Sequence, residues 1–165
     1  IPMNMRQHVR DVFGILAGDE MLLRLLHYKP ASSDDDPLAV GKPDILAKPE
    51  GERQTIIADV IRTIRDLDDL EEAEKCRIVY YPRLRRETAN PLIANQDMAF
   101  DIYCHHTFES VDARTSWIAD RVNALLFGKR LSSVGKTFLF VGNSIQAPPG
   151  YAGYRLIYSF GSENY

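Results

Sequence analysis

Cysteine is scarce in this chain of 165 residues. Cys76 and Cys104 are the only two, too few for a disulfide framework and without metal-ligand spacing. Stability must therefore come from a hydrophobic core, which a chain of this length can bury. Long apolar runs are missing as well. No stretch approaches the ~18 residues of a membrane span, and the N-terminus has no charged-then-apolar secretory pattern. A reducing cytoplasm is the expected setting, and the Ile1-Pro2 opening suggests a chain that begins after its true start. Positive charge is not in excess either. The formal net charge is −3 and the pI about 5.8, whereas a nucleic-acid reader usually carries a basic patch and a high pI.

Motifs of catalysis are absent in the same way. There is no G-x-S-x-G elbow, no H-E-x-x-H and no paired-cysteine motif. Gly135-Lys136-Thr137 has the ending of a phosphate-binding loop, but the glycine required five positions earlier is Arg130. The run that follows, Phe138-Leu139-Phe140-Val141, reads as strand rather than as the helix whose N-terminus would cradle phosphate. His105-His106 ends a strand, where neighbours are expected to point to opposite sides and so not to share one ion. Asp34-Asp35-Asp36 reads as a solvated acidic loop, since a hard cation needs ligands converging from several directions. No catalytic residue, cofactor or metal is assigned, and the chain is read as not an enzyme.

What is present is a folded-protein composition, 45% hydrophobic and 26% charged, arranged as one domain. Residues 5–28 carry two apolar sets at helical spacing, Val9, Val12, Phe13, Leu16 and then Met21, Leu22, Leu25, Leu26. Gly18 is expected to break the run and Asp19 to cap the next turn. Four prolines lie between Pro30 and Pro49, which predicts a long loop excursion over about 30–52. Residues 54–65 fit helix slightly better than strand. Arg77–Tyr81 is a strand closed by Pro82, and Met98–His105 alternates with Met98, Phe100, Ile102 and Cys104 on one face. Ser110 or Asp112 is expected to cap a helix reaching Phe127, with a Val111, Ile118, Val122, Leu125 stripe packed on the sheet and Gly128 ending it. Thr137–Ile145 and Gly153–Phe160 complete the strands. The resulting class is α+β: a mainly antiparallel sheet of about four strands with helices packed on one face. The tyrosines at strand spacing, Tyr154 and Tyr158, are read as sheet packing.

Two charge clusters stand out. Asp66, Asp68, Asp69, Glu71, Glu72 and Glu74 fall within nine positions, a block expected to repel itself and project into solvent. Arg83, Arg85 and Arg86 form a basic cluster beyond Pro82, read as an exposed extension and a candidate subunit-interface arm. Opposite clusters on one chain suit head-to-tail association with a second copy.

The order of parts resembles the tail terminator, or tail-to-head joining, proteins of long-tailed bacteriophages. The likeness rests on R-I-V-Y-Y-P, then M-A-F-D-I-Y-C-H-H, the helix W-I-A-D-R-V-N-A-L-L-F-G-K-R, and the closing G-Y-A-G-Y-R-L-I-Y-S-F-G-S. It spans roughly residues 5–28 and 77–163, and Pro30–Glu74 is a longer insertion than compact members of that family need. The resemblance implies a virion protein assembled in the host cytoplasm as a homo-oligomer, usually a hexameric ring. Such a ring would end the tail tube, contact the tail tube protein and the head-closure or connector protein, and let DNA pass without specific binding. On this reading Asp66–Glu74 or Asp34–Asp36 would face the channel, where carboxylates repel phosphate. The alternatives are another connector, such as a head-closure protein, a small cytoplasmic enzyme with a site built from His105, Asp101 and the arginines, or a free-standing DNA-binding module.

Overall fold

The computed structural model describes residues 4–131 and 135–164, so the Ile1-Pro2 opening lies outside them. In chain order the elements are α1 (Met5–Ala17), α2 (Glu20–His27), α3 (Glu50–Val60), β1 (Ile61–Arg62), a 3-10 turn (Asp68–Glu72), β2 (Cys76–Glu87), β3 (Ile93–His105), α4 (His106–Asp112), α5 (Arg114–Leu126), β4 (Phe138–Ser144) and β5 (Tyr151–Glu163). The strands make one sheet in the order β1-β2-β3-β5-β4. β1 runs parallel to β2, and every other pairing is antiparallel. The fold is α+β as the sequence predicts, with a fifth strand, the two-residue β1, where four were expected.

The helix break at Gly18 is present, and the Asp19 carboxylate accepts the Leu22 N–H at 2.9 Å. That satisfies one of the donors a helix start leaves free. The same carboxylate holds Arg121 of α5, which fixes α2 against α5. Residues 54–65 divide: α3 ends at Val60, and Ile61 turns extended to begin β1. Only Val60 is buried within α3, and the β-branched Ile56 and Ile57 pack against the core half-buried.

Two expectations need correction. β2 does not end at Pro82; it continues to Glu87 across a register shift between Pro82 and Arg85. Such a bulge absorbs a proline that cannot donate to the ladder. The helix near 110–127 is two helices, divided by Ala113 in the left-handed conformation at φ 52°. Neither Ser110 nor Asp112 caps the second; Glu109 accepts the Thr115 N–H at 2.7 Å. The division shifts the stripe, so Ile118, Val122 and Leu126 are buried while Val111 belongs to α4. The long loop predicted over about 30–52 is present, ending where α3 begins at Glu50, and it is held down by hydrogen bonds. Arg24 donates to the carbonyls of Ala39 and Lys42 and pairs with Asp44, Glu20 accepts the N–H groups of Ile45 and Leu46, and Ile45 is buried.

The main core lies between the helices and one face of the sheet. Met98, Phe100, Ile102 and Cys104 of β3 meet Leu156, Tyr158 and Phe160 of β5, together with Ile78 and Tyr80 of β2. This is the alternation read from the sequence, because residues two apart share a face. The other face carries a small cluster of Leu70, Val79 and Tyr103. Beside it Asp101, fully buried, accepts from Arg155 at 2.7 Å and from the Tyr81 hydroxyl at 2.9 Å. Cys76 and Cys104 sit directly across β2 and β3 as buried free thiols.

Candidate assembly surface

The two ends of the strand order differ most in what they leave uncovered. At one end β4 has a single strand neighbour, β5, and all seven of its residues are exposed. They include Phe138, Leu139, Phe140 and Val141, four consecutive large apolar side chains at 39–54% exposure. An apolar edge strand of this kind is a template for pairing and a contact liability unless something covers it. Leu139 lies on the helix side, next to Asp120 and Asn123 of α5 and Tyr154 of β5. Phe140 lies under the Arg86 guanidinium, 5.1 Å from its ring centroid.

At the other end β1, α1 and α3 enclose an open groove of about 990 Å³. Val9, Phe13, Ile57, Ile61, Ile64 and Tyr80 supply its apolar lining. Phe13 is 40% exposed and Ile64 75%. Arg10, Arg62 and Asp66 stand around it. Burial pushes the Tyr80 hydroxyl up to about 12, and it donates to the Val9 carbonyl, so it stays neutral there.

The arginine cluster lies on β2 rather than on a free arm. Arg85 donates to Gln96, to Ser162 and to the Glu163 carbonyl, binding β2 to β3 and β5. Arg86 pairs with the buried Asp97 at 3.0 Å. Arg83 is exposed. An exposed extension at 83–86 is therefore corrected to strand, with two of the three guanidinium groups engaged inside the chain.

The acidic block is likewise partly internal. The 3-10 turn buries Leu70 against Val79 and Tyr103. Asp69 grips Arg77 through two bonds of 2.7 Å, and Arg77 is fully buried, also reaching Asp59. Hydrogen bonding from Arg77, set against burial, holds the Asp69 carboxyl well below the usual carboxylate range. Glu74 pairs with Lys29. Asp66, Asp68, Glu71 and Glu72 are exposed. The block thus anchors as well as projects, which a reading from like charges alone does not reveal. Of the other acidic run, Asp35 pairs with Lys42 and Asp36 accepts the Leu38 N–H.

His105 and His106 do not diverge as expected; their ring centroids are 4.2 Å apart, because the strand turns into α4 between them. Among the described residues no group of three or more His, Cys, Asp or Glu could hold a metal ion. Gly135-Lys136-Thr137 leads into β4, not into a helix. No helix among the described residues is long and apolar enough to cross a membrane.

A family model described as YomW matches residues 19–160. The chain belongs to the YomW family. A relative from Bacillus subtilis (strain 168), the SPbeta prophage-derived uncharacterized protein YomW, is 30% identical over 168 residues. The alignment covers 94% of this chain and 96% of the relative. That relative is by its name prophage-derived, and it is at this level that the phage resemblance of the sequence is met. The family stretch starts at the Asp19 cap and ends in β5, so it contains β1, β4 and the sheet between them. The apolar run on β4 is legible as a strand in the sequence. Its place at the open edge of the sheet is not, since strand order depends on partners far away in the chain.

Proposed function

We propose that this YomW-family chain is a structural, non-enzymatic protein of a phage neck. Copies of it form a ring, hexameric by resemblance to tail terminators, that ends the tail tube and joins it to the head connector. One observation carries this reading: β4 presents Phe138, Leu139, Phe140 and Val141 to solvent on an edge strand. A lone protein tends to blunt such an edge with charge, proline or a covering element, so an uncovered one suits a chain whose working state is an assembly. The phage origin of the relative and the order of parts in the sequence support the same reading. The exposed carboxylates Asp66, Asp68, Glu71 and Glu72 are suited to a lumen through which DNA must slide without adhering.

The test is electron microscopy of particles from a phage whose copy of this gene carries an early stop codon. Overlong, headless tail tubes beside filled heads are expected. Tails of normal length beside leaking heads would move the protein to the head side of the neck, and intact virions would remove it from assembly altogether.

A further inference from the structure

We infer that Cys76 and Cys104 form an oxidisable pair, set across β2 and β3 so that hydrogen peroxide joins them as a single cross-strand disulfide. This goes beyond the assembly reading and stands whether or not copies meet. The register places the two residues directly opposite each other. On the neighbouring rung the His105 N–H donates to the Lys75 carbonyl at 3.2 Å. Hydrogen-bonded and non-hydrogen-bonded rungs alternate along an antiparallel ladder, so Cys76–Cys104 is a non-hydrogen-bonded rung. At such a rung the opposing Cα atoms lie about 4.5 Å apart and the side chains come closest. That separation falls within the range of about 4.4–6.8 Å that a disulfide spans. Both side chains belong to the main core, so they share one face of the sheet and neither strand has to turn for the sulfur atoms to meet.

Position along the strands gives access. Cys76 is the first residue of β2 and Cys104 the last but one of β3. The rung beyond them, Lys75–His105, is half-buried, and there β3 gives way to α4. Opening that one rung admits a small neutral oxidant. Burial, with hydrogen bonding to Cys104, pushes the Cys76 thiol well up, while the Arg114 guanidinium pulls the other way against Asp112. The resting pair is thus protonated and slow to react, and it responds only when oxidant is present. One sulfur then attacks the peroxide: an S–O bond forms, the O–O bond breaks, and the departing hydroxide takes that thiol's proton and leaves as water. The second sulfur attacks the resulting sulfenic sulfur, forming S–S and breaking S–O, and the hydroxyl leaves with the second proton as another water. The dithiol loses two electrons and the peroxide gains them. With its partner directly across the rung, the sulfenic acid is captured before a second peroxide carries it to the sulfinic stage.

The experiment takes the full chain, reduced and then treated with hydrogen peroxide while folded, and reads intact mass, mobility on a non-reducing gel and urea denaturation. The expected product is a monomer lighter by two hydrogens, with neither of the chain's two cysteines left to alkylate in urea. Its denaturation midpoint should rise by about 1 M and return to the starting value with dithiothreitol. The single variants Cys76→Ala and Cys104→Ala should gain oxygen instead, with no rise in midpoint. Should either variant fail to fold, the mass and midpoint of the unaltered chain decide alone. Gain of oxygen by the unaltered chain, or disulfide-linked dimers, would overturn the pairing. Thiols that stay reduced in the folded chain, under conditions that oxidise the urea-unfolded chain, would overturn it by showing the rung closed to oxidant. A disulfide that lowers the midpoint would show that the register does not fit the bond.

Discussion

The two edges of this sheet handle the same hazard in different ways. At the β1 end the exposed ladder is cut to two residues, the β2 edge beyond it is broken by Pro82 and a bulge, and Arg83 adds a charge. Those are the devices by which folded proteins keep strangers from adding a strand. Below that edge, the buried Arg77 ties Asp59 at the end of α3 to Asp69 in the 3-10 turn. The β4 end shares only the bulge, a register shift against β5 between Leu139 and Val141: it has four apolar residues in a row, all exposed, with no proline or charge inside the strand. An edge that is guarded and anchored serves the fold, and one left bare is available for a partner.

That difference can be broken most forcefully at Arg77. Replacing it with leucine removes a fully buried cation and leaves the Asp59 and Asp69 carboxylates facing a low-dielectric wall. Taking one member from a buried ion cluster costs several kcal/mol. Because Asp69 keeps access to water, with 42% of its side chain exposed, we expect a loss of about 3 kcal/mol in urea denaturation. A loss below about 1 kcal/mol would mean that the guarded edge is not held by this cluster. Leu70→Ala acts on the same edge through packing. It empties a small cluster with Val79 and Tyr103 and should cost about 2 kcal/mol, read from the same denaturation curves.

How much of this could be read from the sequence follows from range. The β3 alternation of Met98, Phe100, Ile102 and Cys104 needs only neighbours two apart, and it was legible. The Asp19 cap is equally local. The burial of Arg77 was not legible, because its partners are 8 and 18 residues away and the nearer, Asp69, looks like a member of a repelling acidic run. Arg85 and Arg86 were hidden for the same reason: Glu163 lies 78 residues on and Asp97 lies 11 on. The split at Ala113 had no signal, since alanine seldom takes a left-handed conformation. The exposure of β4 required the strand order, which no local pattern contains. A continuous apolar run was visible, but such runs more often mark buried strands.

Acid should separate α1, one wall of the groove, from the anchored edge. His8 on α1 is buried with Nε2 3.0 Å from the Ser162 hydroxyl, and burial lowers its pKa against the opposing pull of a backbone hydrogen bond and Asp11. The unfolded chain therefore binds the proton first, and stability falls as pH drops below about 6.5 towards the lowered folded value. His27, also lowered by burial, adds in the same direction. Asp69 works at lower pH: its stabilisation is complete above the ordinary aspartate range and is lost only as pH falls through its depressed value. Between pH 7 and 5 we expect denaturation midpoints to fall in the unaltered protein and to fall less in His8→Phe. An equal fall in both would show that His8 is not the group responsible.

The smallest effect on stability is expected where the effect on association is largest. Phe140 is 54% exposed and touches little beyond the Arg86 guanidinium. Phe140→Lys should change unfolding free energy by no more than about 0.5 kcal/mol, as exposed substitutions usually do. A lysine on an open strand edge is also the device by which proteins refuse a partner, so self-association should be lost while the fold remains. Sedimentation measures the first quantity and urea denaturation the second, on the same preparation. The two edges predict opposite pairings of results: Arg77→Leu weakens the fold whether or not copies meet, and Phe140→Lys abolishes the meeting without weakening the fold. If Phe140→Lys instead unfolds the chain, β4 is part of the fold's own support, and the contrast between a guarded edge and an open one fails at its open end.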